Sequence, residues 1–188
     1  MKAIDIRNEI CDLVSEIKPL DDIESQHINF VVDWIQSDVD IFRTEKPATP
    51  PIHLVSYFLV FSPEQSKVLL VDHKKAGLWL PPGGHVELNE DPKDTVSRET
   101  KEELGIEAEF LFEKPLFVTV TKTVGNVVSH TDVSLWYALK WNPDDPLIYD
   151  KDEFNQIQWF WINEIPFEKS DPHLRRFIKK MKENHVEL

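Results

Sequence analysis

Residues 81–106 read PPGGHVELNEDPKDTVSRETKEELGI, and this stretch decides the fold. Gly83 and Gly84 form a loop in which the backbone can approach a neighbour closely. Asp91 is a good helix N-cap, Pro92 suits the first helical position, and Gly105 falls just past the end, so a helix is predicted over 92–104. Inside it, Glu99, Glu102 and Glu103 stand at i, i+3 and i+4 and project from one side. Like charges at that spacing cost a helix about 0.2–0.5 kcal/mol per pair. Arg98 and Lys101 are expected to point elsewhere, leaving the cluster uncompensated within the helix. Val96 and Leu104 flank the acidic stripe, which places it at the rim of the buried face. A hard divalent cation such as Mg²⁺ supplies the missing charge, since it prefers carboxylate oxygens and retains waters and substrate phosphates. Three glutamates alone are more often a solvated face. The surrounding pattern is what changes that weighing.

Gly84, five residues, Glu90, seven residues, then Arg98-Glu99-Thr100-Lys101-Glu102-Glu103-Leu104-Gly105-Ile106 resembles the Nudix box, G-x5-E-x7-R-E-U-x-E-E-x-G-U with U a bulky apolar residue. Every Gly, Glu and Arg position matches. Thr100 departs at the first U, a position that concerns helix packing and not ligation. The likeness spans roughly residues 50–165. It implies an α/β/α sandwich around a mixed β-sheet and cleavage of a diphosphate linkage in a nucleoside diphosphate derivative or (d)NTP. Carried over by position, Glu99, Glu102 and Glu103 are the implied Mg²⁺ or Mn²⁺ ligands, with the Gly84 carbonyl as a further one. Arg98, partnered by Glu90, is implied to hold the carboxylates in place. The general base is a box glutamate or a carboxylate beyond the box. Glu153, in the acidic run 150–153, is the outside candidate, against the plainer reading of a solvated turn.

Outward from the box, the pattern is that of an α/β domain. Apolar residues over 53–61 suit a central strand, and Pro63-Glu64-Gln65-Ser66 suits a hairpin turn into a strand over 67–72. Further strands are expected near 108–113, 116–124, 132–140 and 157–161, and a C-terminal helix near 172–182. Before the proline-rich segment 47–51, two amphipathic stripes predict a helical pair: Ile6, Ile10, Leu13, Val14 and Ile17, then Ile23, His27, Phe30, Val31 and Trp34. Residues 1–45 therefore read as an N-terminal helical extension and 46–188 as the Nudix-type domain. The pair is expected to pack on the sheet or to form a homodimer contact.

The chain has 188 residues, 34 acidic against 21 basic, and a formal charge of −13. Residues 1–45 alone hold 11 acidic and 4 basic side chains. That balance argues against binding a nucleic-acid duplex or an anionic membrane. A small phosphorylated partner, a nucleotide above all, remains compatible once a metal ion accompanies it. One cysteine, Cys11, excludes an intramolecular disulfide, and its expected place is half-buried on a helix. With no apolar run of membrane-spanning length and no signal-peptide pattern, a cytoplasmic location is expected.

Seven histidines are scattered, with no close pair at metal-ligand spacing. His85, beside the glycine loop, and His130, before a strand, are candidate substrate contacts. Tyr57, Phe117 and Phe154 are the aromatics considered for nucleobase stacking. Two other readings stand beside the hydrolase. One is a Nudix-fold sensor that binds a nucleotide without turning it over, which has less need of the full acidic set. The other is a hydrolase of a non-nucleotide diphosphate.

Overall fold

Strand β1 (Ile52–Ser62) is apolar on both faces and is buried almost throughout, as a strand inside a covered sheet must be. The computed structural model describes residues 6–46, 48–123 and 129–184. Around β1 are β2 (Lys67–His73), β3 (Leu78–Leu80), β4 (Gly83–His85), β5 (Phe117–Lys122), β6 (Thr131–Lys140) and β7 (Phe154–Trp161). They form one mixed sheet in the order β3-β2-β1-β6-β5, with β4 paired to β1 and β7 to β2. The β1–β6 pair is parallel, and it sets His53 opposite Asp132 and Tyr57 opposite Trp136.

Helix α3 (Pro92–Leu104) has the predicted ends. The Asp91 side chain accepts from the Lys93 N–H at 2.7 Å, and Gly105 closes the helix at φ 68°. Thr100 is buried, and its hydroxyl donates to the Val96 carbonyl at 2.6 Å, so the one departure from the box pattern is absorbed inside the helix. Val96 and Leu104 pack with Leu54, Phe58, Leu135 and Tyr137 in one core cluster. A second cluster joins Leu59, Phe61, Phe117 and Trp136 to Phe177 and Met181 of the C-terminal helix α4 (Leu174–Glu183).

The N-terminal pair, α1 (Ile6–Ser15) and α2 (Asp22–Gln36), spends its apolar surface on this same body. Ile10, Val14 and Ile17 enter the first cluster as the stripe predicts, and Cys11 is half-buried beside them. The stripe of α2 is rotated from the expected one. Glu24, Val31 and Ile35 are buried, whereas Ile23 and Phe30 are exposed. The reason is an ion pair. Glu24 faces Lys180 of α4, both nearly inaccessible to solvent, and Asp21 accepts from Arg176 Nε at 2.9 Å. Burial pushes the Glu24 carboxyl up and the Lys180 ammonium down. Helix α2 thus lies along β5, the edge of the sheet, and blunts it.

Three strand expectations need correction. Residues 108–113 form no strand; Phe110 makes a single antiparallel bridge with Leu139. The last strand starts at Phe154 rather than 157, and β3 and β4 were too short to stand out in the sequence. Of the span 116–124, residues 117–122 form β5, and Val124 lies outside the described residues, as does Pro47 of the proline segment. No helix among the described residues is long and apolar enough to cross a membrane.

Candidate active site

Arg98 organises the acidic side of α3. Its Nε donates to Glu90 Oε1 at 2.9 Å and its Nη2 to Glu90 Oε2 at 3.0 Å, while Nη1 reaches Glu99 Oε1 at 2.6 Å. The same guanidinium donates to the His85 carbonyl at 3.3 Å and lies 3.5 Å from Glu102. The expectation that Arg98 points away from the cluster is therefore corrected. The forked, rigid donor set reaches Glu99 and Glu102 along its own helix while engaging Glu90 outside it. Glu90 is itself anchored by the Thr95 hydroxyl at 2.7 Å and the Glu87 N–H at 2.9 Å, and these bonds with Arg98 hold its carboxyl below the usual range despite burial.

Opposite this clasp the acids are under-compensated. Glu103 is 4% exposed, and its carboxylate accepts from the Gly83 N–H at 3.2 Å. Burial, with Glu99 and Glu153 nearby, pushes its carboxyl well above the ordinary value. Glu99 is raised for the same leading reason, burial, with Arg98 opposing. Glu102 stays mostly in solvent. Gly84 runs so close to this group that a Cβ there would lie 1.9 Å from Glu99 Oε1. Three carboxylates, two held at raised proton affinity and packed against a bare backbone, are a donor set suited to a hard divalent cation.

Glu153 immediately precedes β7. Its Oε1 is 3.6 Å from His73 Nε2, and its charge acts on both Glu99 and Glu103, so the loop before β7 faces the box carboxylates. Tyr57 is half-buried next to Gly83, whose absent Cβ would come 2.6 Å from its ring, and it meets Trp136 edge-on. Phe117 and Phe154 are corrected as stacking residues. Both are fully buried, Phe117 between Trp136 and Phe177 and Phe154 against His73, so neither offers a face to a base.

His85 and His130 come together, in company the sequence did not foresee. His53, His85, His130 and Asp132 place one ligand atom each within 4.8 Å of the others. The parallel register of β1 and β6 does this, joining residues almost eighty positions apart. Arg43, from the segment after α2, reaches the same place, with Nη1 3.1 Å from His85 Nε2 and its charge felt by Glu99 and Asp132. No local spacing signals either contact.

Strand β4 with its two glycines, the capped helix and its clasped acids all lie inside a stretch that matches a known family. The model of the NUDIX domain matches residues 52–181. The chain belongs to the Nudix family and is a hydrolase acting on pyrophosphate bonds. Among relatives, it is 30% identical over 117 residues to the Uncharacterized Nudix hydrolase YvcI of Bacillus subtilis, covering 61% of this chain and 72% of that one. It is 33% identical over 95 residues to the Probable DHNTP pyrophosphohydrolase of Lactococcus lactis, covering 50% and 55%. A crystal structure of a NUDIX-family hydrolase from Clostridium perfringens superposes with a TM-score of 0.55 at 21% identity, covering 71% of this chain and 98% of that one. The dihydroneopterin triphosphate pyrophosphohydrolase of E. coli does so with a TM-score of 0.53 at 13% identity, over 77% and 99%. At these identities the two structures speak to the fold alone.

Proposed function

We propose that the protein is a metal-dependent pyrophosphohydrolase of a small nucleotide, cleaving the diphosphate linkage of a nucleoside diphosphate derivative or (d)NTP. The observation that carries this reading is the convergence of Glu99 and Glu103 on the Gly83-Gly84 backbone beside the Arg98 clasp. A module that only binds nucleotides has no need to bury Glu103 at 4% exposure with so little compensation.

Glu99, Glu102 and Glu103 would hold Mg²⁺ or Mn²⁺, with the Gly84 carbonyl as a further ligand. Such an ion, when bound, neutralises phosphate charge and lowers the pKa of water. Arg98 and Glu90 keep the carboxylates oriented, as a salt-bridged outer shell does for a metal ligand. Glu153, across from the box, takes the proton from the attacking water. Arg43 offers a positive charge to the substrate phosphates, and Tyr57 forms part of the floor beneath them. The pterin triphosphate named for one relative belongs among the substrates to try.

The test is a panel in the presence of Mg²⁺: nucleoside triphosphates, oxidised (d)NTPs, nucleotide sugars, dinucleoside polyphosphates and dihydroneopterin triphosphate, with phosphate and pyrophosphate measured separately. Turnover of one nucleotide class is expected. Cleavage confined to non-nucleotide diphosphates, or tight nucleotide binding without cleavage, would replace this reading.

A further inference from the structure

A buried polar contact remains unexplained by the hydrolase site. His53 is fully buried on β1, and its Nδ1 lies 2.7 Å from the Pro50 carbonyl. A carbonyl only accepts, so Nδ1 carries the proton and Nε2 presents a bare lone pair. That Nε2 is 3.5 Å from Asp132 Oδ1, and neither buried atom has a hydrogen-bond partner. Two buried acceptor atoms facing one another call for a cation between them.

The surroundings supply the other ligands. His130 Nε2 is 3.2 Å from the same Asp132 Oδ1, and the His53 and His130 rings lie stacked with centroids 4.9 Å apart. His85 borders the group, its ring 4.9 Å from that of His53. Tetrahedral Zn²⁺ with bonds of about 2.0–2.1 Å has ligand-to-ligand edges of about 3.3–3.4 Å. The two measured separations bracket that edge. The bond from His53 Nδ1 to a backbone carbonyl is also the outer-shell contact that fixes a ligating imidazole.

We propose that His53, His130 and Asp132, with His85 as fourth ligand, form a second metal site that takes a transition-metal dication of the Zn²⁺ class. Imidazole nitrogens select such ions over Mg²⁺, so the site is chemically separate from the all-carboxylate box. It joins β1, β4 and β6 just beyond Gly84, and would pin β4 through His85, whose carbonyl Arg98 also holds. Arg43 Nη1 competes for His85 at 3.1 Å, so loading exchanges that hydrogen bond for a metal bond. This site stands independently of the substrate proposed above.

The experiment is a Zn²⁺ titration of the chelator-treated 188-residue chain against a chromophoric competitor, with millimolar Mg²⁺ present throughout, and circular dichroism run on each variant. Wild type is expected to bind one equivalent. Asp132→Asn and His53→Gln should weaken binding by more than the roughly 10–100-fold that losing an outer-shell partner costs. Glu102→Gln should leave it unchanged, and Arg43→Met should tighten it by removing a competing charge. Absence of Zn²⁺ binding by the folded wild type would overturn the proposal and leave a shared proton between His53 and Asp132. So would binding that survives in folded Asp132→Asn and His53→Gln, or is lost in Glu102→Gln. If one or both fail to fold, His130→Asn takes their place, and its retention of full binding would count equally against the site.

Discussion

Arg98 grips both oxygens of Glu90, Nε to Oε1 at 2.9 Å and Nη2 to Oε2 at 3.0 Å, and so ties the interior of α3 to the loop that precedes it. The third arm of the guanidinium then fixes Glu99 at 2.6 Å. A lysine can neutralise one carboxylate but cannot make this fork. Arg98→Lys is therefore expected to lower kcat by roughly 10–100-fold while leaving KM within a few fold, because it loosens the acids rather than the substrate contacts. Steady-state kinetics at saturating Mg²⁺ check this. An equal loss confined to KM would place Arg98 on the substrate instead.

Gly84 has no room for a methyl group, since its Cβ would sit 1.9 Å from Glu99 Oε1. Gly84→Ala should shift the carboxylate and cost on the order of 100-fold in kcat, the scale expected when a reacting group is misplaced by about an ångström. The far-UV circular dichroism spectrum should be that of wild type. Full activity in the alanine variant would show that Glu99 does not need its present position.

The buried pair Glu24–Lys180 joins α2 to α4 far from the chemistry. Removing one partner strands a buried charge, which costs about 3–5 kcal/mol. For a chain of this size that is a fall in Tm of about 6–20 °C. Glu24→Gln and Lys180→Met should each show it in thermal unfolding, and the double variant should recover much of the loss. Strictly additive losses would mean the two side chains are not energetically coupled.

Asp171 is buried, accepts from the His173 N–H at 2.7 Å, and burial raises its carboxyl to about 6. The unfolded chain releases that proton at about 3.9. Between these values folding takes up a proton, so the group favours the folded state as pH falls through the window and penalises it above. Asp171→Asn keeps the acceptor without the charge. It should raise Tm by about 6–12 °C at pH 7.5 and lose that advantage by about pH 4. A variant less stable than wild type at both pH values would contradict the assignment.

The box helix was legible in full because its signals are local: Asp91, Pro92 and Gly105 mark its ends, and the box spacing marks its acids. The central strands and the α1 stripe were legible for the same reason, as runs of a single periodicity. What was hidden depends on pairing over distance. Glu24 is turned inward by a lysine 156 residues away, which rotates α2 and leaves Ile23 and Phe30 outside. The histidine cluster arises from the parallel register of β1 and β6, and Phe117 and Phe154 looked free only because their covering partners lie elsewhere in the chain. Arg98 was misjudged by its Cβ direction, since a long guanidinium reaches around a helix that a projection treats as a wheel.

The central claim is that the clasped acids of α3 are the hydrolytic centre. It is tested most directly by kcat for Glu103→Gln and Glu102→Gln beside wild type, on the best substrate of the panel, with Mg²⁺ saturating and folding verified. The account predicts that each variant loses at least roughly 100-fold in kcat, as removal of a principal electrostatic group does. Turnover within a few fold of wild type in both would contradict it.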